Sequence, residues 1–176
     1  MAMAAAGLLM AASPTNPAAE IESALQALHD APDAETSQQA ELRLRTLWLQ
    51  ASSPACVLLL QRAQREIEAG SGGSAIEDAD AALVLDPGYV EAYVARATAR
   101  LLEGDARGAV RDAGQALQRQ PRHLGALQIL SRASEQAGDL QAALQAWQAV
   151  LALAPQTRDG LNRLRDLQRR AMGEAI

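Results

Sequence analysis

The chain has 176 residues, enough for one domain with a substantial buried core and too few for two. Its hydrophobic residues are mostly Ala and Leu, with no Phe, two Trp and two Tyr, and this composition favours helices over β-sheets. The formal net charge of -5 at pH 7 argues against a nucleic-acid binder, because displacing counterions from phosphates requires a basic surface.

Residues 1–18 form an Ala-, Leu- and Met-rich segment that is interrupted by Pro14 and Pro17. This is the outline of a signal-peptide hydrophobic region, although no basic residue precedes it and Asn16 with Ala18 makes an imperfect cleavage site. A disordered tail is the alternative interpretation. The apolar run is far shorter than the roughly 20 residues that cross a bilayer, so no stable membrane span is expected.

Residues 19–55 are predicted to form an N-terminal helical cap. Apolar residues recur at helical spacing over residues 19–29, a turn follows around Pro32, and a second helix is expected over residues 34–50. We expect Leu44, Leu47 and Trp48 of this second helix to cover the open end of the helices that follow.

A 34-residue period organises the middle of the chain. A Gly between two helices allows the left-handed conformation that ends the first helix, small residues let helices cross closely, and a Pro ends the second helix. The period therefore predicts three helical hairpins, at residues 56–89, 90–123 and 124–156. Its repeating positions are Gly70, Gly104 and Gly138; Pro87, Pro121 and Pro155; Ala75, Ala109 and Ala143; and Ala63, Ala97 and Ser131.

This pattern resembles the tetratricopeptide (TPR) repeat, which has the same length and the same order of small, glycine, alanine and proline positions. The resemblance covers about 100 residues and implies an all-α fold: a right-handed superhelical stack of helical hairpins, with the N-terminal cap before it and a C-terminal capping helix after it. The family's large aromatic residue in the middle of each first helix is replaced by Glu66, Arg100 and Ser134. We expect that position to be looser or more exposed than usual.

Residues 157–176 are predicted to form the amphipathic capping helix. Leu161, Leu164 and Leu167 share one face, and four Arg lie mostly elsewhere. A solvated outer face is the favoured interpretation, because a solenoid needs a polar end to stay soluble. Binding of an acidic partner or a membrane surface by the Arg cluster is the alternative.

No combination of residues predicts catalysis, a cofactor or a metal site. His29 and His123 are each interpreted as solvated helix-terminal residues, and the single cysteine, Cys56, as a buried small apolar residue. Residues 71–74, Ser-Gly-Gly-Ser, are expected to form a flexible turn, since they lack the Lys of a phosphate-binding loop. The acidic run from Glu77 to Asp80 is interpreted as a solvated helix face, because a helix cannot wrap oxygens around a cation.

The resemblance implies that the first helix of each repeat lines a concave groove that binds a protein or peptide partner. We predict a non-catalytic adaptor in which an extended segment or a helix is held by apolar contacts and by pairing of a partner carboxylate with an Arg. A self-associating scaffold, with an incidental groove, is the alternative. The predicted groove residues are Leu60, Gln64, Ile67, Val94, Thr98, Leu101, Gln128, Arg132 and Glu135.

Two further expectations come from family likeness. The subfamily that grips chaperone C-terminal carboxylates uses Lys and Asn at places occupied here by Leu60, Ala95, Gly125 and Ile129, so that mode of docking is not expected. The arrangement of leader, cap, three repeats and Arg-rich final helix also resembles small exported repeat proteins of alphaproteobacteria. That likeness favours the periplasm over the cytoplasm.

Overall fold

The computed structural model describes residues 16–173. Every helix in this range is too short or too polar to span a lipid bilayer. The described range consists of nine helices and their connections: α1 (Pro17–His29), α2 (Ala34–Leu49), α3 (Pro54–Glu68), α4 (Gly72–Leu85), α5 (Val90–Leu102), α6 (Ala106–Arg119), α7 (Leu124–Gln136), α8 (Leu140–Leu153) and α9 (Gly160–Ala171).

The three glycines expected to turn the chain within each repeat all have the predicted left-handed backbone. Their φ values are 78° at Gly70, 81° at Gly104 and 85° at Gly138. In the second and third repeats the next residue is an Asp whose carboxylate accepts a hydrogen bond from the first turn of the following helix, at 2.8 Å for Asp105 and 2.9 Å for Asp139. A Gly-Asp pair therefore ends one helix and begins the next.

Small residues lie where the helices of each repeat cross. Side chains at both predicted small positions are fully buried in all three repeats, and the Ser131 hydroxyl donates a 2.9 Å hydrogen bond to the Ala143 carbonyl. Larger side chains there would hold the helices apart. The prediction of close crossings is confirmed for Ala63, Ala97 and Ser131 and for Ala75, Ala109 and Ala143.

Ion pairs with a buried Asp carboxylate recur in the first and second repeats. Asp78 and Asp112 occupy equivalent positions of successive repeats and are 1% and 2% exposed, and they pair with Arg62 and Arg96 of the preceding helix. Arg100 also reaches Asp112, at 2.7 Å. The interpretation of Asp78 as part of a solvated face was wrong, because this position of the repeat places the carboxylate between two helices.

The position of the family's large aromatic residue, which we expected to be loose, instead carries a charged side chain in an ion pair or a tightly packed small one. Arg100 pairs with the buried Asp112, Glu66 lies 3.8 Å from Arg62, and Ser134 is 2% exposed. The expectation of a looser or more exposed site was wrong in the second and third repeats. An ion pair or a close helix contact occupies the volume that an aromatic ring fills in the family pattern.

The N-terminal hairpin forms, but it does not pack where predicted. Leu28, Leu44 and Trp48 join Leu124 and Val150 of the third repeat in one core cluster. The expectation that this hairpin covers the open end of the stack was therefore wrong; only its last residue, Leu49, joins the cluster of the first repeat.

The open face of the first repeat explains this placement. In the second repeat, the helix of the preceding repeat packs against Ala92 and Ala99, which are both 0% exposed. The equivalent residues of the first repeat are the larger Leu58 and Arg65. Leu58 is 65% exposed. Side chains of this size do not allow another helix to approach as closely as alanine does.

The final helix, α9, lies in register as a fourth first helix. Leu167, which is equivalent to Ala133 of the third repeat, is fully buried, and the Trp147 indole donates a 2.9 Å hydrogen bond to the Gly160 carbonyl. Arg165 stands one repeat length after Ser131, at a position where the three preceding repeats have a small residue. Its size and charge keep this face solvated, which agrees with a capping role.

Replacing Asp112 should destabilise the stack strongly. Asp112→Ala leaves Arg96 and Arg100 without their buried partner, and we expect a loss of about 3 kcal/mol in the free energy of unfolding. Urea unfolding followed by circular dichroism measures this loss. Asp80→Ala removes the half-exposed partner of Arg96 and is the matched control, with an expected loss below about 1 kcal/mol. Equal losses in the two variants would contradict the role assigned to Asp112.

Candidate partner-binding groove

The first helices form one wall of the stack. Helix α3 contacts α5, and α5 contacts α7, whereas the second helices α4, α6 and α8 make no comparable contacts with each other in the described part of the chain. Neighbouring repeats are thus closer together on the side of the first helices. That side is the inner, concave surface of the array.

In the first repeat, only one of the three predicted groove residues is fully accessible. Leu60 is 4% exposed and belongs to the cluster around Cys56 and Tyr89. Ile67 is half-buried against Ala63, Ala75 and Ala99. Gln64 is exposed and donates a 2.8 Å hydrogen bond to Glu68. The structure therefore leaves Gln64 as the accessible polar group and removes Leu60 from the accessible set.

The second repeat supplies a half-exposed apolar surface. Val94, Thr98 and Leu101 are each partly exposed along α5. The Thr98 hydroxyl donates a 2.8 Å hydrogen bond to the Val94 carbonyl. The Thr98 side chain can therefore offer a partner its methyl group and a hydroxyl oxygen that still accepts hydrogen bonds. Leu101 packs in part on the cluster that contains Ala97 and Ile129.

The third repeat contains the charged groups of the groove. Arg132 is exposed and has no ionic partner among residues 16–173. Glu135 already accepts from Arg163, at 2.9 Å, and from Arg170. Gln128 lies 3.5 Å from Glu41 of α2. Among the predicted groove residues, Arg132 is thus the cation that is available to a partner, whereas Glu135 holds α9 in place.

Sequence reasoning missed a buried cluster around His123. This side chain is 1% exposed; its Nδ1 accepts from the Ala126 amide at 3.1 Å, its Nε2 lies 2.7 Å from Glu91, and Trp48 stacks on its ring at 4.0 Å. Because Nδ1 accepts, Nε2 carries the proton and donates to the Glu91 carboxylate. His123 is helix-terminal as expected, but it is not solvated.

The repeat contained a signal for this cluster. His123 stands one repeat after Tyr89, and Tyr89 is also buried, at 3% exposure, with its hydroxyl donating to the Leu49 carbonyl. Burial raises the pKa of Tyr89, and nearby Glu91 raises it further. Both rings fill the space before a first helix and contact the end of α2.

The remaining candidates for chemistry have structural roles. Cys56 is fully buried, as predicted, and His29 is exposed at the end of α1 with Nδ1 3.2 Å from the Ala152 carbonyl. The expected flexible turn at residues 71–74 is instead the first turn of α4, which begins at Gly72. Nowhere in residues 16–173 do three His, Cys, Asp or Glu side chains come together as metal ligands would.

Comparison with known proteins identifies the family. No family model matches the chain. A TPR repeat-containing protein of Rhizobium etli is 30% identical over 142 residues, which cover 81% of this chain and 69% of that protein. This chain therefore belongs to the tetratricopeptide repeat proteins, and the resemblance of its repeat period to that family is confirmed.

Solved structures share the fold. The first TPR of Spaghetti (RPAP3), bound to an HSP90 peptide, has a TM-score of 0.66 and 20% identity, and the match covers 69% of this chain and 99% of that one. The crystal structure of MamA has a TM-score of 0.63 and 18% identity, with 82% and 86% covered. The predicted all-α, right-handed superhelical TPR stack is thereby confirmed.

Protonation of Glu135 should loosen the attachment of α9. Burial opposes ionisation, but hydrogen bonds and charges from Arg170 and Arg163 together lower the pKa of Glu135. A carboxylate whose pKa is lower in the folded chain stabilises the fold above its ordinary pKa, and this contribution is lost as the pH falls through the folded-state value.

We expect the difference in Tm between the native chain and Glu135→Gln to be largest near pH 7 and to shrink towards about pH 3. Thermal unfolding followed by circular dichroism across this range measures it. The exposed Glu77→Gln is the control and should show a much smaller dependence. A Tm difference for Glu135→Gln that does not change with pH would argue against the pairing with Arg163 and Arg170.

Proposed function

We propose that this chain is a non-catalytic adaptor that binds a segment of a protein partner on its concave face. The observation that carries the proposal is the composition of that face: partly exposed Val94, Thr98 and Leu101 lie next to an exposed Arg132 that has no ionic partner in the described chain. Apolar contacts supply the driving force, and one exposed cation provides selectivity for a carboxylate.

Structural neighbours support binding as a use of this fold. The Spaghetti (RPAP3) domain is bound to an HSP90 peptide, and the TPR2AB domain of yeast Sti1 is in a complex with pHSP90; the latter has a TM-score of 0.59 and 17% identity to this chain. We do not propose that this chain binds the same ligand. Leu60, Ala95, Gly125 and Ile129 stand where the subfamily that grips chaperone carboxylates has Lys and Asn.

The apolar part of the groove is small, so we expect modest affinity. No aromatic side chain is among the predicted groove residues, and aromatic residues supply most binding hot spots. A dissociation constant on the order of micromolar follows. The chain is proposed to act in the periplasm, with residues 1–18 as the export signal; residues 1–15 lie outside the described range.

A photo-crosslinking amino acid at Thr98 should identify the partner. In cells, we expect crosslinks from position 98 to peptides of one protein, mapped by mass spectrometry after purification. The same amino acid at Val84, which is 81% exposed on the second helix α4, is the control and should give none of these peptides. Identical products from positions 98 and 84 would count against the concave face.

Charge placed in the groove should abolish binding to the crosslinked partner. We expect Val94→Asp with Leu101→Asp to remove measurable binding while circular dichroism still reports native helicity, because each Asp must be desolvated beneath the partner. Val84→Asp with Leu85→Asp introduces the same charges away from the groove and should bind normally. Unchanged affinity in the folded groove variant would refute this site.

The alternative, a self-associating scaffold, finds less support in the two ends of the stack. Continuing the superhelix would require alanine-sized contacts, but Leu58 and Arg65 occupy one end and Arg165 the other. We therefore expect light scattering to give the mass of a monomer across a dilution series. A mass that rises with concentration would favour the scaffold.

A further inference from the structure

The α1–α2 hairpin lies on a surface that belongs to the binding side of the stack. We call this surface the hairpin site; it is formed by His123, Leu124, Leu127, Gln128 and Val150. Leu124 is 1% exposed and Leu127 is 8% exposed beneath the hairpin. Gln128 is also one of the predicted groove residues, so the hairpin site and the groove meet along α7.

The structure shows what this site accepts, because an amphipathic helix is already seated on it. Leu44, Leu47 and Trp48 of α2 follow the i, i+3, i+4 spacing of one helical face. Leu44 is fully buried, Trp48 is 5% exposed, and Leu47 packs partly on the same cluster. Helix α2 runs antiparallel to α7, since Trp48 lies against His123 and Glu41 against Gln128.

The seated helix leaves a polar group unsatisfied. The indole N–H of Trp48 is buried and has no hydrogen-bond partner among the described residues. An unpaired buried donor costs free energy that a better matched occupant would not lose. An occupant that satisfied this donor, with equal apolar contacts, would therefore bind the site better than the docked hairpin does.

Few polar contacts hold the hairpin to the repeats. The Tyr89 hydroxyl donates to the Leu49 carbonyl at the end of α2, and His29 Nδ1 lies 3.2 Å from the Ala152 carbonyl at the end of α1. The other contacts are weak. The Glu22–Arg122 pair is mostly solvent-exposed, with side-chain exposures of 62% and 52%, and exposed pairs contribute little to stability. The Glu41–Gln128 contact is long, at 3.5 Å. Within the stack, by contrast, the carboxylates of Asp78 and Asp112 that pair with Arg are almost completely buried.

A charged group next to the site is also left unused. Arg132 lies one helical turn beyond Gln128 on α7. With α2 antiparallel to α7, the residues that continue towards Arg132 are one turn before Glu41, at Ser37 and Gln38, and neither carries a carboxylate. A helix with Glu or Asp at that turn would pair with Arg132, which α2 does not.

We propose that the hairpin is a displaceable occupant, and that the hairpin site binds a partner's amphipathic helix. That helix carries large apolar residues with the spacing of Leu44, Leu47 and Trp48, and a carboxylate one turn before the position of Glu41 that pairs with Arg132. The proposal rests on the adaptor function proposed above and specifies its ligand. The hairpin and the partner compete for one surface, so binding exposes α1 and α2.

A hairpin peptide supplied in solution tests the site directly. The probe is a labelled peptide of residues 16–50 with Gln38→Glu, titrated into the full chain and followed by fluorescence anisotropy. Trp48→Ala in the chain weakens its own hairpin without changing the site. We expect the probe to bind this variant at least about tenfold more tightly than the native chain, where the tethered hairpin competes at high effective concentration.

Two matched controls test the Trp48 contact and the Arg132 contact separately. Trp48→Ala in the probe should abolish the gain, and Arg132→Ala in the Trp48→Ala chain should reduce affinity for the Gln38→Glu probe but not for the unmodified peptide. Equally weak binding of the probe to the native and Trp48→Ala chains would overturn the proposal, provided that circular dichroism shows the variant to be folded.

Hydrogen exchange tests whether the hairpin opens in the native chain, without any substitution. We expect amides of α1 and α2 to exchange faster than those of α5 to α8, because the hairpin opens without the stack. Exchange of all these helices at one common rate would overturn the proposal.

If the peptide fails to bind while position 98 still crosslinks to a partner, the groove function stands and only the hairpin site is refuted. A mass in light scattering that rises with concentration in the native chain but not in the Trp48→Ala chain would instead identify the hairpin of a second copy as the occupant, against the proposal.

Discussion

Close contact between helices through alanine and serine side chains is the constraint on which the rest of this structure depends. Residues such as Ala97 and Ala109 are fully buried because the helices on either side approach each other at their backbones. A larger side chain would change the distance between helices, and every later repeat would move with it. The same rule explains the ends of the stack, where Leu58 and Arg165 occupy the positions of small residues.

Charge has two separate roles in this stack. Asp78 and Asp112 are buried and pair with Arg residues of the same repeat, so they fix how its two helices pack. Arg132 is exposed and pairs with no described residue. A pair with a buried carboxylate is costly to break and specifies geometry, whereas an exposed single charge is available for the ligand selection proposed above.

The position of the N-terminal hairpin changes how the concave face is understood. A cap at the first repeat would leave the whole groove open. Instead, Trp48 stacks on His123 and Glu41 reaches Gln128, so one edge of the inner wall is occupied by the chain itself. The open part of the groove is centred on Thr98, Leu101 and Arg132. In the function proposed here, binding on this face is therefore linked to the state of the N-terminal helices.

The amino-acid sequence by itself determined the repeats, because the signals are local and recur at a constant period: Gly104 ends a helix, Ala109 allows a crossing and Pro121 stops the next helix. It also placed candidate groove residues on the first helices, although the burial of Leu60 was not visible from its spacing. Only the tertiary structure decided where the hairpin packs, and that His123 and Asp78 are buried. These depend on contacts between residues distant in sequence, such as Trp48 with His123, and a helical period records which face of a helix is apolar but not which surface covers it.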